Sequence, residues 1–342
     1  MKFKISTTQS SPRGVVRTAM VVLPSVLSPA KVADLATACD ALPNTKMTDV
    51  IARYLLRFYL RYEHKLETRS ALVRDWAVHG PLGAMAAELL GVESVRLYNA
   101  ELIFHRGEDS PTCQEAWHRD TLAAPFDPSH KAVTFNVYLE NIDASGDGLI
   151  YRRGSHLALD GPPQADGNVV EPSVSVGDIL AHDPNTYHTT SGRGCWRRRS
   201  LQFRYVADGA TFAFGPNRLP HGPIPWTLAH APGIAPHGLS DGDALAGPWY
   251  PLVHPAPRPE EHVPLTHKWS HGPGAILGLA AEAEKNARDM LNASSATTGP
   301  FYGFDGPVAE PSEWAFVKVP PGVEMMYHTA GEGYKKAVAD AA

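Results

Sequence analysis

Apolar positions recur at two different spacings along the chain, and the change from one to the other is the first guide to its architecture. Val15 to Leu23 reads as a strand. Ser28-Pro29 then offers a cap and a first-turn proline, and Val32, Leu35, Ala36, Cys39 and Leu42 follow at helical spacing until Pro43-Asn44 ends the run. A second helical stretch is predicted from Thr48 to Thr68, with Ile51, Leu55, Phe58 and Tyr62 on one side, and a third from Pro81 to Leu90, stopped by Gly91. From Ser94 the period falls to two. Val95 to Phe104 is strand-like, and Val133, Phe135, Val137 and Leu139 alternate with Thr134, Asn136 and Tyr138. The apolar set is expected to pack on the helices and the polar set to look into a barrel. Val169 to Val176, Asp178 to His182 and Ser200 to Val206 complete a series of short strands separated by turn residues. That pattern suits a sandwich or barrel, mainly β with flanking helices.

After Ala207 the periodicity fades. Gly215 to Glu261 is dense in Pro, Gly and His, Gly274 to Leu291 reads as one amphipathic helix, and Thr297 to Val323 is again rich in Gly, Pro and aromatics. The expected organisation is an N-terminal arm (1–19), a β domain with N-terminal helices (20–208) and a long loop-rich C-terminal extension (209–342). Loops of this length in a compact protein are usually functional or oligomeric, so the extension is expected to pack on the same domain as a lid, a homodimer contact, or both.

Composition narrows the classes of partner. The chain has 342 residues, 43% of them hydrophobic, and a formal net charge of -5, which gives no reason to expect nucleic acid or an anionic membrane. Met20 to Leu27 is too short for a membrane span and is broken by Pro24. Three cysteines, Cys39, Cys113 and Cys195, lack paired spacing, so reduced thiols and a cytoplasmic setting are expected.

The residues with the most chemistry lie between Trp117 and Tyr205. Trp117-His118-Arg119-Asp120 contains a His-x-Asp pair whose side chains share one face of an extended backbone. A third ligand would have to come from elsewhere in the sheet, and His188, followed by Thr189-Thr190, is the best candidate. Two imidazoles and one carboxylate can hold ferrous iron while leaving positions for a bidentate co-substrate and O₂. A lone His-x-Asp is weak, and sixteen histidines always leave some third one available. The ordered set is more specific: pair, alternating strand, Gly154-Ser155-His156, Gly177-Asp178-Ile179-Leu180, histidine, then the basic run Arg197-Arg198-Arg199.

With Val21 to Ser28 and Val95-Arg96-Leu97-Tyr98 added, this set resembles the phytanoyl-CoA dioxygenase family of Fe(II)/2-oxoglutarate-dependent oxygenases over about residues 20–208. The resemblance implies a double-stranded β-helix (a jelly-roll, cupin-like core) and His118, Asp120 and His188 as iron ligands. In that family an arginine ten or eleven residues beyond the second histidine grips the distal carboxylate of 2-oxoglutarate. Arg198 and Arg199 both qualify. Strand phase favours Arg198, since it extends the inward row of Ser200, Gln202 and Arg204, and Arg199 stays as the alternative. Thr190 occupies the family's hydroxyl position two residues after the histidine.

Asn99, Glu101, Asn136, Arg204 and Trp117 are further candidates for contact with substrate or with the ligands. Glu101 stands where family members often have glutamine, and Arg153 replaces the usual proline before Gly-Ser-His. Related halogenases carry a small residue where this chain has Asp120, which disfavours halogenation. The implied reaction is oxidation of a C–H bond in a small metabolite, coupled to decarboxylation of 2-oxoglutarate to succinate and CO₂. Two rival readings are a metal-dependent cupin-type isomerase or lyase without 2-oxoglutarate, and a non-catalytic binding protein of the same fold.

Overall fold

Two antiparallel sheets face each other in the computed structural model, which describes residues 19–42, 60–105, 119–127, 129–142, 148–157, 169–190, 198–213, 237–258 and 261. The strands are β1 (Met20–Leu23), β2 (Leu60–Glu63), β3 (Val95–His105), β4 (Ala132–Tyr138), β5 (Leu149–Arg152), β6 (Val169–Val170), β7 (Ile179–His182), β8 (His188–Thr190), β9 (Arg198–Ala207) and β10 (Leu252–His254). The larger sheet runs β1-β7-β4-β9-β3-β10, with β2 also on β3, and the smaller runs β6-β5-β8. This is the mainly β, jelly-roll architecture expected, with helices on one face.

Register explains why the polar alternation matters. Thr134 lies opposite Arg204 and His182, and Asn136 opposite Gln202 and Leu180. On β3, Asn99 and Glu101 lie opposite Arg204 and Gln202. One face of the large sheet is therefore a continuous polar row turned toward the small sheet. The other face carries Val133, Phe135, Val137, Leu201, Phe203 and Tyr205, all fully buried against the helices.

Those helices are α1 (Pro29–Asp40), α2 (Ala71–Arg74, continued by a π turn over Asp75–His79) and α3 (Leu82–Leu90). Ser28 caps α1 by accepting from the Lys31 N–H at 3.2 Å, and Gly91 ends α3 at φ +62°, where a side chain would be strained. The Tyr205 hydroxyl donates to the Ala77 carbonyl at 2.9 Å, fixing β9 to the helical layer.

Two expected elements differ. The helix anticipated over Thr48 to Thr68 is not continuous: residues 48–59 lie outside the described part, Leu60–Glu63 is a strand paired with β3, and Leu66–Thr68 is a 3₁₀ turn entered through Lys65 at φ 53°. The open edge of β3 offers backbone partners that outweigh a helical periodicity. The strand anticipated over Val169 to Val176 keeps only β6 and one bridge at Val174, because Pro172 has no N–H for a ladder. The helix anticipated at Gly274 to Leu291, together with Cys113 and Cys195, lies outside the described residues. Cys39 is a buried, reduced thiol.

Residues 237–258 belong to the same body as the barrel. β10 pairs with the start of β3, and Leu245, Trp249 and Tyr250 pack with Tyr98, Phe126 and Phe212. Arg96 binds Asp208 at 2.5 Å, Glu261 at 2.7 Å and the Tyr250 carbonyl at 3.0 Å. Among the described residues no strand lies beside the edge of β3 between β2 and β10, and two side chains stand in. Glu67 accepts from the Ala100 N–H at 2.9 Å, and Lys65 donates to the Tyr98 carbonyl at 2.8 Å. Lys65 and Glu67 form a 2.9 Å ion pair with no exposure, and the ammonium also lies over the Trp249 and Tyr250 rings. Burial pushes the Lys65 ammonium below its usual range, against the opposing pull of Glu67.

Candidate metal centre

Three side chains converge between the two sheets. Asp120, His182 and His188 are all buried, and one potential ligand atom from each lies within 4.8 Å of the other two. Asp120 opens a one-turn helix (Asp120–Ala123) after the extended Arg119, His182 ends β7, and His188 begins β8. The turn between the two histidines is tied down at several points. Asn185 N–H bonds to Asp183, the Thr121 hydroxyl donates to Asn185 at 2.8 Å, and Thr186 donates to the Ala19 carbonyl. The Gly-Ser-His motif acts here as well. Ser155 donates to the Arg152 carbonyl at 2.7 Å and accepts from the Tyr187 N–H at 2.8 Å, so it fixes the residue before His188. The Gly177-Asp178 motif holds the opposite end of β7. Gly177 sits at φ +95° with no room for a Cβ beside the Leu27 carbonyl, and Asp178 accepts from Ser25 N–H.

The two oxygens of Asp120 have different surroundings. Oδ2 faces Thr134 Oγ1 at 3.0 Å, Arg204 Nη2 at 3.0 Å and His182 Nε2 at 3.1 Å. Oδ1 faces His188 Nε2 at 3.6 Å. Burial alone would raise this carboxyl, but Arg204, the His182 hydrogen bond and the two imidazoles hold it well below the usual carboxylate range. It is therefore ionised, as a metal ligand must be. His188 Nδ1 lies 2.8 Å from the Thr186 carbonyl, which can only accept, so Nδ1 carries a proton and Nε2, turned toward Asp120, is the nitrogen placed to serve as a metal ligand. A carboxylate oxygen facing an imidazole nitrogen in a buried cleft suits a divalent transition metal such as ferrous iron.

Arg204 links this centre to a second buried carboxylate. Its guanidinium lies 3.7 Å from Glu101 and donates through Nε to Thr134 at 3.2 Å. Glu101 in turn accepts from Asn99 at 2.6 Å and pairs with His64 at 2.9 Å. Burial would raise Glu101, yet Arg204 and His64 bring it below its usual range despite Asp120 nearby.

Of the residues expected from the sequence, Asp120 and His188 come together, with Arg204, Asn136, Glu101 and Asn99 around them. His118 and Trp117 lie outside the described residues. Thr190 is buried on β8, opposite Leu149. Position 198 falls in the same alternation as Ser200, Gln202 and Arg204, and only its backbone is described. Arg199 is on the other side of β9, where its guanidinium binds Asp40 and Glu140 at 2.7 Å. Sequence reading missed His182, Thr134, Tyr151 and His64. For His182 a signal existed: it continues the inward phase of Leu180 and ends its strand opposite inward Thr134.

Comparison with known proteins follows the same lines. The sequence profile of the phytanoyl-CoA dioxygenase (PhyH) family matches residues 20–199. The chain belongs to this family. Iron and 2-oxoglutarate are the cofactor and co-substrate of PhyH enzymes, so the chain is placed among Fe(II)/2-oxoglutarate-dependent proteins. Among solved structures, the non-heme alpha-ketoglutarate-dependent epimerase SnoN from nogalamycin biosynthesis is 23% identical, with a TM-score of 0.55 over 71% of this chain and 96% of its own. The carbocyclase SnoK of the same biosynthesis is 19% identical, with a TM-score of 0.56 over 72% and 97%. Both share the fold. No curated protein matches the sequence. Among the described residues of this PhyH protein, no helix is long and apolar enough to cross a membrane.

Proposed function

We propose that this PhyH protein is an oxygenase that oxidises an unactivated C–H bond of a small metabolite or natural-product intermediate, by hydroxylation, desaturation or cyclisation, while 2-oxoglutarate is decarboxylated to succinate and CO₂. The observation that carries the reading is the ionised Asp120 carboxylate with Oδ1 turned toward Nε2 of His188, the ring's other nitrogen being held by the Thr186 carbonyl. His118, two residues before Asp120, would supply the second imidazole. When bound, the metal provides the redox chemistry, and the chain's part is to bind, orient and exclude water.

Arg198 would grip the distal carboxylate of 2-oxoglutarate bidentately, with Thr190 donating beside it. Support for Arg198 over Arg199 comes from the Arg199 guanidinium, which is occupied by Asp40 and Glu140 on the far face. Glu101 and Asn99 add an acceptor-rich wall near Asp120, suited to a substrate bearing hydroxyl or amine donors. That solved structures of the same fold include an epimerase and a carbocyclase from an antibiotic pathway favours a natural-product substrate.

The test is ferrous binding and succinate formation by the full chain, alone and with a panel of candidate metabolites followed by mass spectrometry. Wild type is expected to bind one ferrous ion and release succinate, Asp120→Ala to do neither, and Arg198→Ala to need far more 2-oxoglutarate than Arg199→Ala. Succinate release that survives in Asp120→Ala would overturn the reading.

A further inference from the structure

We infer that His182 is a positioning residue, not a metal ligand, that holds the Asp120 carboxylate by donating a hydrogen bond to Oδ2. This rests on the reading just proposed. On distance alone His182 competes for the role of ligand, because a ring nitrogen of each histidine lies within 4.8 Å of the other and of Asp120. The difference lies in which nitrogen of each ring carries the proton.

The proton on His182 is fixed by a chain of side chains reaching in from β4 and β9. The Asn136 amide lies with one end 3.4 Å from the Leu180 carbonyl and 3.1 Å from His182 Nδ1, and with its other end 2.8 Å from Gln202 Nε2. A carbonyl accepts and cannot donate, so the end facing Leu180 is the NH₂ group, and its second hydrogen points at His182 Nδ1. Nδ1 therefore accepts. The Tyr151 hydroxyl, also 3.1 Å from Nδ1, can donate or accept and is compatible with this. A neutral ring that accepts at Nδ1 carries its proton at Nε2, and Nε2 is 3.1 Å from Asp120 Oδ2.

The opposite tautomer fails on simple electrostatics. It would turn an N–H toward the Asn136 NH₂ group, donor against donor, and leave Nε2 with no proton to give to Oδ2 at 3.1 Å. His188 is arranged the other way, with its proton-bearing Nδ1 on the Thr186 carbonyl. Oδ2 then has three donors, from Thr134, Arg204 and His182, which is as many as a carboxylate oxygen comfortably takes. Oδ1 faces His188 Nε2 at 3.6 Å. The cradle fixes the rotation of the carboxylate about the Cβ–Cγ bond.

The experiment uses the full-length protein labelled with ¹⁵N-histidine and loaded with Zn(II) as a diamagnetic probe. Long-range ¹H–¹⁵N correlation reads the protonation of each ring nitrogen, with His182 and His188 assigned by His182→Gln and His188→Gln. His182 is expected to keep a proton on Nε2 and a bare Nδ1 before and after Zn(II), while the Nε2 signal of His188 moves on loading. Loss of the His182 Nε2 proton when Zn(II) binds would overturn the inference. Titration gives an independent reading that does not depend on the assignment. Glutamine places an amide N–H where Nε2 stood, so His182→Gln should hold Zn(II) within about threefold of wild type, whereas His182→Leu should weaken it by roughly 10–100-fold. A His182→Gln variant as defective as His188→Gln makes His182 a ligand and ends the inference. Failure of the proposed function looks different: wild type that takes up no metal, or His188→Gln that takes it up normally, with the His182 Nε2 proton still in place.

Discussion

The two faces of β4 and β9 are equally buried and chemically opposite. Toward the helices stand Val133, Phe135, Val137, Leu201, Phe203 and Tyr205, held by area and shape. Toward the small sheet stand Thr134, Asn136, Ser200, Gln202 and Arg204, just as hidden from water, with Thr134, Asn136, Gln202 and Arg204 joined in one hydrogen-bonded network. Burial therefore does not separate core from site in this protein. What separates them is direction: an apolar side chain tolerates any neighbour of the right shape, whereas each donor on the inner face needs one particular acceptor. The inner face is accordingly the less forgiving of the two.

The strongest break of that contrast is Arg204→Ala. It leaves Asp120 and Glu101 as buried carboxylates without their shared cation, a loss expected at about 3–5 kcal/mol in denaturant unfolding, with ferrous affinity falling in parallel. Phe135→Ala on the opposite face should cost a comparable 3–5 kcal/mol by cavity formation. Metal affinity of the folded protein should stay near wild type, so that stability and binding part company. Equal loss of binding in both variants would mean that the faces are not independent.

Acid sharpens the comparison further. Asp120 and Glu101 both have lowered carboxyl values in the folded chain, so the unfolded chain takes up protons first as pH drops. Their contribution is complete above the unfolded value near 4 and disappears as pH falls through the folded values. Unfolding midpoints measured against pH should show this acid limb in wild type and in Phe135→Ala alike, displaced downward but unchanged in shape. In Arg204→Met the limb should begin at higher pH. The smallest effect belongs to Arg199→Ala, whose partner Asp40 is largely exposed. Below about 1 kcal/mol is expected, with 2-oxoglutarate dependence unchanged.

The period-two signal made most of the barrel readable, because a strand with one polar and one apolar face leaves its phase in the sequence. Val133 to Leu139 and Leu201 to Tyr205 assigned both faces correctly. Asp120 and His188 were legible as spaced chemistry. Non-local pairing was not. β2 owes its form to the edge of β3, and nothing within Leu60–Glu63 itself distinguishes it from the helical run expected there. His64 meets Glu101 only because β2 pairs with β3, so no spacing along the chain announces the pair. His182 was passed over because its role depends on Asn136 and Gln202, two amides from other strands that decide where its proton sits.

The ion pair of Lys65 and Glu67 has a consequence for truncation. With β2 at one end of β3 and β10 at the other, these two side chains take the Ala100 N–H and the Tyr98 carbonyl, backbone that could otherwise recruit a stranger. A chain cut near Gly209 would lose β10 together with the rings above Lys65, and the unmasked rim of β3 would become a template for another copy. Such a fragment should self-associate even while its helical face remains sound.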